Sequence, residues 1–278
     1  MLIMPTILTS DGANIHYEDT GTGRPIVLIP GWTMSTRLFD RNIPALAANH
    51  RVIAMDLRGH GQSEKVDFGH RMPRYSKDVV DLLDALELED AILVGWSLGA
   101  SVLMSYHGLF GAHRATGFAF IDQTPKNSNR DGWELGVPGV TAETSTDVSM
   151  ILENRAGLVD AFVPKMFHAT PGDADIAWMK DEAYKCPDET AATLMLNHRA
   201  QDWRDNIARF NSPLLVMAGR QSAICPYDSS VWIADNAPDA ELVTFENCGH
   251  CPFWEDADKF NTTLAAFADR VAGANSGA

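Results

Sequence analysis

The chain has 278 residues, 45% hydrophobic and 21% charged, with 21 Gly and 14 Pro, a composition and length that suit one large α/β domain with an insertion better than several small domains. Its 37 acids against 22 bases leave a formal net charge of −15, a field that repels polyanions and argues against nucleic acid as a partner. Four cysteines (Cys186, Cys225, Cys248 and Cys251) are too few and too clustered for a disulfide framework and point to a reducing compartment.

The opening segment MLIMPTILTSDG has neither a basic n-region nor an apolar core of leader length, and no run approaches the ~18 apolar residues of a membrane span. Cytoplasm is the expected setting. Buried strands are expected at 25–29 (PIVLI), 51–55 (RVIAM), 91–94 (AILV), 117–121 (GFAFI), 213–217 (PLLVM) and 241–245 (ELVTF). Continuous apolarity, rather than alternation, is what a parallel sheet covered on both faces requires. Between these runs Tyr75, Val79, Leu82 and Leu86 recur at helical spacing, as do Phe260, Leu264, Phe267 and Val271. Strand-helix alternation of this kind predicts an α/β class, a doubly wound, mostly parallel sheet. Apart from the short tail GANSGA at 273–278 the chain has no low-complexity segment and no internal repeat.

The alternation lapses over 123–210, which holds several helical patterns but no clear buried strand. That stretch reads as a helical lid inserted into a core domain made of residues 1–122 and 211–278, sitting over the strand ends where ligands bind in such sheets. Trp133, Met166, Phe167, Trp178 and Met195 are its candidate substrate walls, with lid core as the competing use for each.

The most informative stretch is ILVGWSLGAS, residues 92–101. A strand runs into Gly95-Trp96-Ser97-Leu98-Gly99, and a credible helix begins at Leu98. The glycines remove Cβ atoms that clash when strand and helix pack tightly about a strained turn, so Ser97 projects as an exposed nucleophile. The Leu98 N–H, at the helix start, faces any anion forming beside it.

With these residues the chain resembles the α/β-hydrolase superfamily, from about Gly12 to Val271, the lid excepted. LIPGWTMS at 28–35 resembles the oxyanion-loop segment, which implies the Trp32 N–H as second oxyanion donor; DLRGHGQS at 56–63 resembles a segment whose Asp56 and Arg58 tie loops together. ENCGHCPFWED at 246–256 resembles the catalytic-histidine loop, which makes His250 the base. His60 and His70 are secondary candidates, and His16, His50, His107, His113, His168 and His198 read as surface or structural. The resemblance implies an eight-stranded sheet and, with serine rather than a carboxylate at the nucleophile, acyl transfer to water instead of dehalogenation or epoxide hydrolysis. The substrate expected is a small-molecule carboxylic ester or lactone, with no metal or other cofactor and no nucleic-acid or membrane partner. Perhydrolysis, C–C hydrolysis, cofactor-free dioxygenation and non-enzymatic ligand binding on the same scaffold are the competing readings. CGHC at 248–251 lacks the strand-helix setting of a redox pair and the second ligand cluster of a zinc site, so Cys248 and Cys251 read as packing residues.

Most family members carry the triad acid in a Gly-x-x-Asp segment after the seventh strand. Here Ser222 stands three after Gly219, and Asp228 is the nearest carboxylate downstream. Some branches place the acid at the end of the sixth strand, where this chain has Asp122. Asp122 is the expected acid, Asp228 the alternative, and capping of the lid's first turn the plain use for Asp122.

Overall fold

The computed structural model describes residues 5–275, so the first four residues of the opening segment and the last three of the tail lie outside it. Eight strands form one sheet: β1 (Thr6–Leu8), β2 (Asn14–Gly21), β3 (Pro25–Ile29), β4 (Arg51–Met55), β5 (Ala91–Trp96), β6 (Ala115–Ile121), β7 (Leu214–Gly219) and β8 (Ala240–Phe245). Their order is β1-β2-β4-β3-β5-β6-β7-β8. β1 pairs antiparallel with β2 and β2 with β4, and every later pairing is parallel. The helices are α1 (Ile43–Leu46), α2 (Met72–Ala85), α3 (Leu98–Phe110), α4 (Ser149–Glu153), α5 (Arg155–Lys165), α6 (Asp173–Tyr184), α7 (Asp188–Arg199), α8 (Arg204–Ile207), α9 (Tyr227–Asn236), α10 (Pro252–Glu255) and α11 (Ala257–Asn275).

Successive strand residues face opposite sides of a sheet, and here the two sides build two separate apolar clusters. Val27, Ile29, Ile53, Met55 and Leu93 join Val79 and Leu82 of α2 on one face. Ile26, Leu28, Val52, Ala54 and Ile92 join Phe260, Leu264 and Phe267 of α11 on the other. The two helical stripes in the sequence therefore cover opposite faces. That double cover is why every residue of β3 and β5 is buried and why their sequences do not alternate. The antiparallel strands β1 and β2 carry no such run: six of the eight residues of β2 are half-buried or exposed, and the strand is built largely of polar residues.

Between β6 and β7 the described chain forms no strand, only α4 to α8 and a single isolated bridge, Asn129 to Thr141. These helices do not stand apart from the core. Ile151, Ala191 and Leu194 belong to the first apolar cluster, and Val159, Val163 and Met179 to the second. The loop after β4 is fastened by charge. Asp56 accepts the N–H groups of Thr36 at 2.8 Å and Gln62 at 2.7 Å, and the buried Arg58 forks onto Asp78 at 2.9 and 2.8 Å. Among the described residues no helix is long and apolar enough to cross a membrane.

Candidate active site

Ser97 occupies the turn between β5 and α3 with φ 53° and ψ −119°, a backbone region that costs a non-glycine residue on the order of 1–3 kcal/mol. The surroundings hold it there. Its N–H donates to Ile121 O of β6 at 2.9 Å, and its own carbonyl accepts Ala100 N–H at 2.9 Å and Ser101 N–H at 3.3 Å. The two glycines are steric necessities. A Cβ on Gly99 would lie 2.4 Å from Ile29 O, and one on Gly95 would lie 2.4 Å from Gly99 C and O. Leu98 follows as the first residue of α3, where helical N–H groups have no partner within the helix and the dipole favours an anion. The oxyanion-loop segment packs directly on this turn, since a Cβ on Gly31 would come 3.2 Å from Ser97 Cβ. Trp32, next along, is pinned through its indole N–H to Ala191 O at 3.0 Å.

His250 lies in the loop between β8 and α10. Its N–H donates to Met166 O at 2.8 Å, and its carbonyl accepts the Trp96 indole N–H at 2.8 Å. These bonds tie the loop to the end of α5 and to Trp96, the last residue of β5. The ring Nδ1 meets Asp122 Oδ2 at 2.5 Å, with both residues essentially excluded from solvent. Asp122, at the end of β6 with φ 46°, also accepts the Ser222 hydroxyl on Oδ2 at 2.6 Å and Gly219 N–H on Oδ1 at 3.3 Å. The other ring nitrogen, Nε2, is buried with no hydrogen-bond partner among the described residues. Such bonds are often unformed before substrate arrives. Asp228, by contrast, is exposed in the first turn of α9.

Cys225 completes a trio with Asp122 and His250 whose donor atoms lie within 4.8 Å of one another. As a metal set it fits poorly. Burial pushes the Cys225 thiol well above its ordinary pKa, which keeps it protonated, and His250 Nδ1 is committed to Asp122. Cys248 and Cys251 sit in the second apolar cluster, the Cys248 thiol pushed up to about 12 by burial.

A cavity of about 450 Å³ is lined by Ser97, Trp32 and Gln123, and by apolar side chains that include Ile151, Leu158, Phe162 and Ile224. Of the five expected walls only Met195 lines it. The other four are corrected to packing roles. The Trp133 indole donates to Lys126 O at 2.9 Å and its ring meets Trp232 edge-on. Met166 and Phe167 are buried in the second apolar cluster, and Trp178 packs on Trp254 at 5.7 Å between ring centres. The segment needs these large side chains to anchor itself on the core, and mid-sized aliphatic residues with one phenyl ring are left to form the cavity. Leu158 and Phe162, four apart on α5, carry the helical stripe that marks this wall in the sequence. His198 is more than background structure: it is buried in the cavity wall. His60 and His70 are buried away from the turn, bonded to Arg58 O at 2.8 Å and Val66 O at 2.8 Å.

Residues 24–257 match the family described as alpha/beta hydrolase fold. A non-heme chloroperoxidase, CPO-A1, from Kitasatospora aureofaciens is 30% identical over 287 residues, spanning 96% of this chain and 100% of its own length. A pimeloyl-[acyl-carrier protein] methyl ester esterase from Nitrosomonas europaea is 27% identical over 256 residues, spanning 89% of this chain and 97% of its own. The structure of an esterase from Exiguobacterium antarcticum superposes with a TM-score of 0.90 at 22% identity, over 96% of this chain and 100% of that one.

Proposed function

We propose that this chain, which belongs to the α/β-hydrolase family, is a cofactor-free serine hydrolase that cleaves a carboxylic ester or lactone. The observation that carries the reading is the convergence, in the segments that follow β5, β6 and β8, of a strained serine, a carboxylate, and a buried histidine with that carboxylate on one ring nitrogen and the other free. In this mechanism Ser97 Oγ attacks the substrate carbonyl while His250 Nε2 takes its proton. Asp122 keeps the His250 proton on Nδ1 and stabilises the imidazolium as it forms. The main-chain N–H groups of Leu98 and Trp32 receive the oxyanion, each contributing roughly 3–4 kcal/mol. Collapse of the tetrahedral species expels the alcohol, protonated by His250, and leaves an acyl ester on Ser97. Water then repeats the sequence through the same base. Residues 123–210 act as the lid that supplies the cavity wall.

The test is covalent labelling with a fluorophosphonate together with turnover of a p-nitrophenyl ester. Wild type should label once, at Ser97. The folded Ser97→Ala protein should lose label and about 10⁴-fold or more in kcat; a mutant retaining a tenth of wild-type turnover overturns the assignment.

The similarity to a chloroperoxidase favours one second reading, perhydrolysis. Hydrogen peroxide would replace water as the nucleophile on the acyl-Ser97 ester, releasing a peracid that oxidises halide. Peroxide- and carboxylate-dependent bromination that disappears in Ser97→Ala supports it, and bromination surviving that change excludes it.

A further inference from the structure

The cavity that Ser97 lines is apolar over most of its wall but carries a polar patch that the mechanism does not use. Asn127 Oδ1 and His198 Nδ1 are both buried without a hydrogen-bond partner, in residues only 4% and 7% exposed that line this cavity. Burial holds the His198 pKa down to about 3, so its ring is neutral at pH 7. Its Nε2 is paired with Ser101 Oγ at 2.9 Å. Lys165 and Arg199 line the same cavity. Among the described residues Lys165 makes no ion pair or hydrogen bond, and the Arg199 guanidinium bonds only the carbonyl of Asp147, at 2.8 Å. Burial lowers the Arg199 pKa, the mark of a cation partly stripped of water. Asp147, the one carboxylate among the described lining residues, accepts the Ser149 N–H at 2.9 Å and hydroxyl at 2.7 Å; its charge offsets part of the lowering at Arg199, but it forms no ion pair with either cation.

On one cavity of a protein whose net charge is −15, the exposed Lys165, the half-buried Arg199 bonded only to a main-chain carbonyl, and the buried His198 Nδ1, which can carry the ring proton, all offer donors to one ligand. An apolar ligand would strip water from the Arg199 guanidinium and leave His198 Nδ1 unpaired, and desolvated polar and charged groups are costly in that state. From this juxtaposition we infer that the substrate is anionic: an ester or lactone whose acid part ends in a second carboxylate, held by Lys165, Arg199 and His198, with an aliphatic spacer along Ile151, Leu158 and Phe162. The inference rests on the hydrolase reading above and names its substrate class. Arg199 and Lys165 are specificity-determining residues, not part of the bond-making machinery. The overall negative charge opposes an incoming anion, so the preference arises at the wall and belongs in KM.

The experiment compares monomethyl and dimethyl esters of straight-chain dicarboxylic acids and reads the ratio of their kcat/KM values. Wild type should favour the half-ester by about tenfold or more, the usual weight of a hydrogen bond to a charged group, and salt should erode that ratio. Lys165→Gln, at an exposed position that tolerates change, and Arg199→Gln should each lower the ratio roughly tenfold through KM, while Arg199→Lys keeps most of it. A wild-type ratio near one, or a ratio unmoved in both glutamine variants, overturns the inference. Calorimetry on Ser97→Ala with the same two esters needs no turnover. Half-ester binding about tenfold tighter than diester binding supports the anionic site even if wild type hydrolyses nothing, in which case the hydrolase reading alone falls. Diester hydrolysis and Ser97 labelling without any half-ester preference leave that reading standing and remove this one.

Discussion

Replacing Asp122 by Asn changes one atom of the candidate triad and should cost most of its rate. The carboxylate is an acceptor on every side: Oδ2 takes His250 Nδ1 at 2.5 Å and the Ser222 hydroxyl at 2.6 Å, and Oδ1 takes Gly219 N–H at 3.3 Å. An amide has one acceptor and one donor end, so it cannot satisfy both His250 and Gly219. If its NH2 faces His250, the ring proton is driven to Nε2, the atom that must be empty to accept the Ser97 proton. If its oxygen faces His250, a donor is forced on Gly219 N–H and the negative charge that supports the imidazolium is still gone. In a site only 1% exposed water cannot make good either loss. The penalty expected for a trapped tautomer and missing charge is about 10²- to 10⁴-fold, or roughly 3–5.5 kcal/mol. The assay is kcat on the best p-nitrophenyl ester for wild type, Asp122→Asn and Asp228→Asn, with thermal melts to confirm folding. Asp228 is exposed, and its variant should stay near wild type. An Asp122→Asn protein keeping more than a tenth of kcat, or the reverse ranking, refutes the reasoning.

Three further expectations concern the scaffold. Gly99→Ala puts a Cβ 2.4 Å from Ile29 O and 2.8 Å from Pro30 O, so despite better helix propensity it should destabilise by about 3 kcal/mol; Gly172→Ala, where a Cβ meets nothing within 4 Å, should stay within about 0.5 kcal/mol in denaturant titrations. Arg58→Met leaves Asp78, 0% exposed in the fold's charged cluster, with only Arg74 for a partner, and should cost about 3–5 kcal/mol; a melting temperature within about 2 °C of wild type would contradict that. His60 and His198 have folded pKa values held down to about 3 by burial, below the unfolded value near 6.5. Their stabilising effect is therefore complete above about pH 6.5 and is lost as pH falls toward 3, by roughly 2–3 kcal/mol each at pH 4.5. Urea midpoints should fall over that window, and less steeply in His60→Asn; a flat profile sinks the argument.

The parts of this molecule that repeat a local rule were legible in its sequence. PIVLI and AILV read as buried strands because both sheet faces are covered, and the GWSLG turn reads as strained because its glycines leave no room for a Cβ. β1 and β2 were not legible, because a short antiparallel edge with several half-buried polar residues carries neither an apolar run nor a clean alternation. The cavity wall is not legible in the sequence for a different reason. A large aromatic residue in a helical insertion has two competing uses, anchoring and lining, and only three-dimensional packing separates them. Trp133 and Trp178 anchor, whereas Phe162 and Leu158 line. His198 reads as background in the sequence because nothing in its neighbours along the chain shows that α7 brings it back against Ser101.

The position of the acid combines both cases, and it yields a sharper prediction than the loss of Asp122 alone. β6 and β7 are parallel neighbours with Ile121 in register with Met217, so the residue after β6 and the loop after β7 end at the same place. Ser222 stands where most family members carry the acid, and its hydroxyl reaches the very oxygen that faces His250. The carboxylate thus stands after β6 instead of after β7, while the charge has stayed beside Nδ1. If the site requires a charge at that point, rather than Asp122 as such, the placement is reversible. Asp122→Ser should lose at least about 10²-fold in kcat, and adding Ser222→Asp to it should restore about tenfold or more of that loss. Ser222→Asp alone sets two carboxylates against one another, and should raise the pH at which activity appears as one of them holds a proton. kcat–pH profiles of the three variants decide the matter. No recovery in the folded double variant would mean that the β6 position supplies an orientation that the β7 loop cannot reproduce, and the equivalence argued here would be wrong.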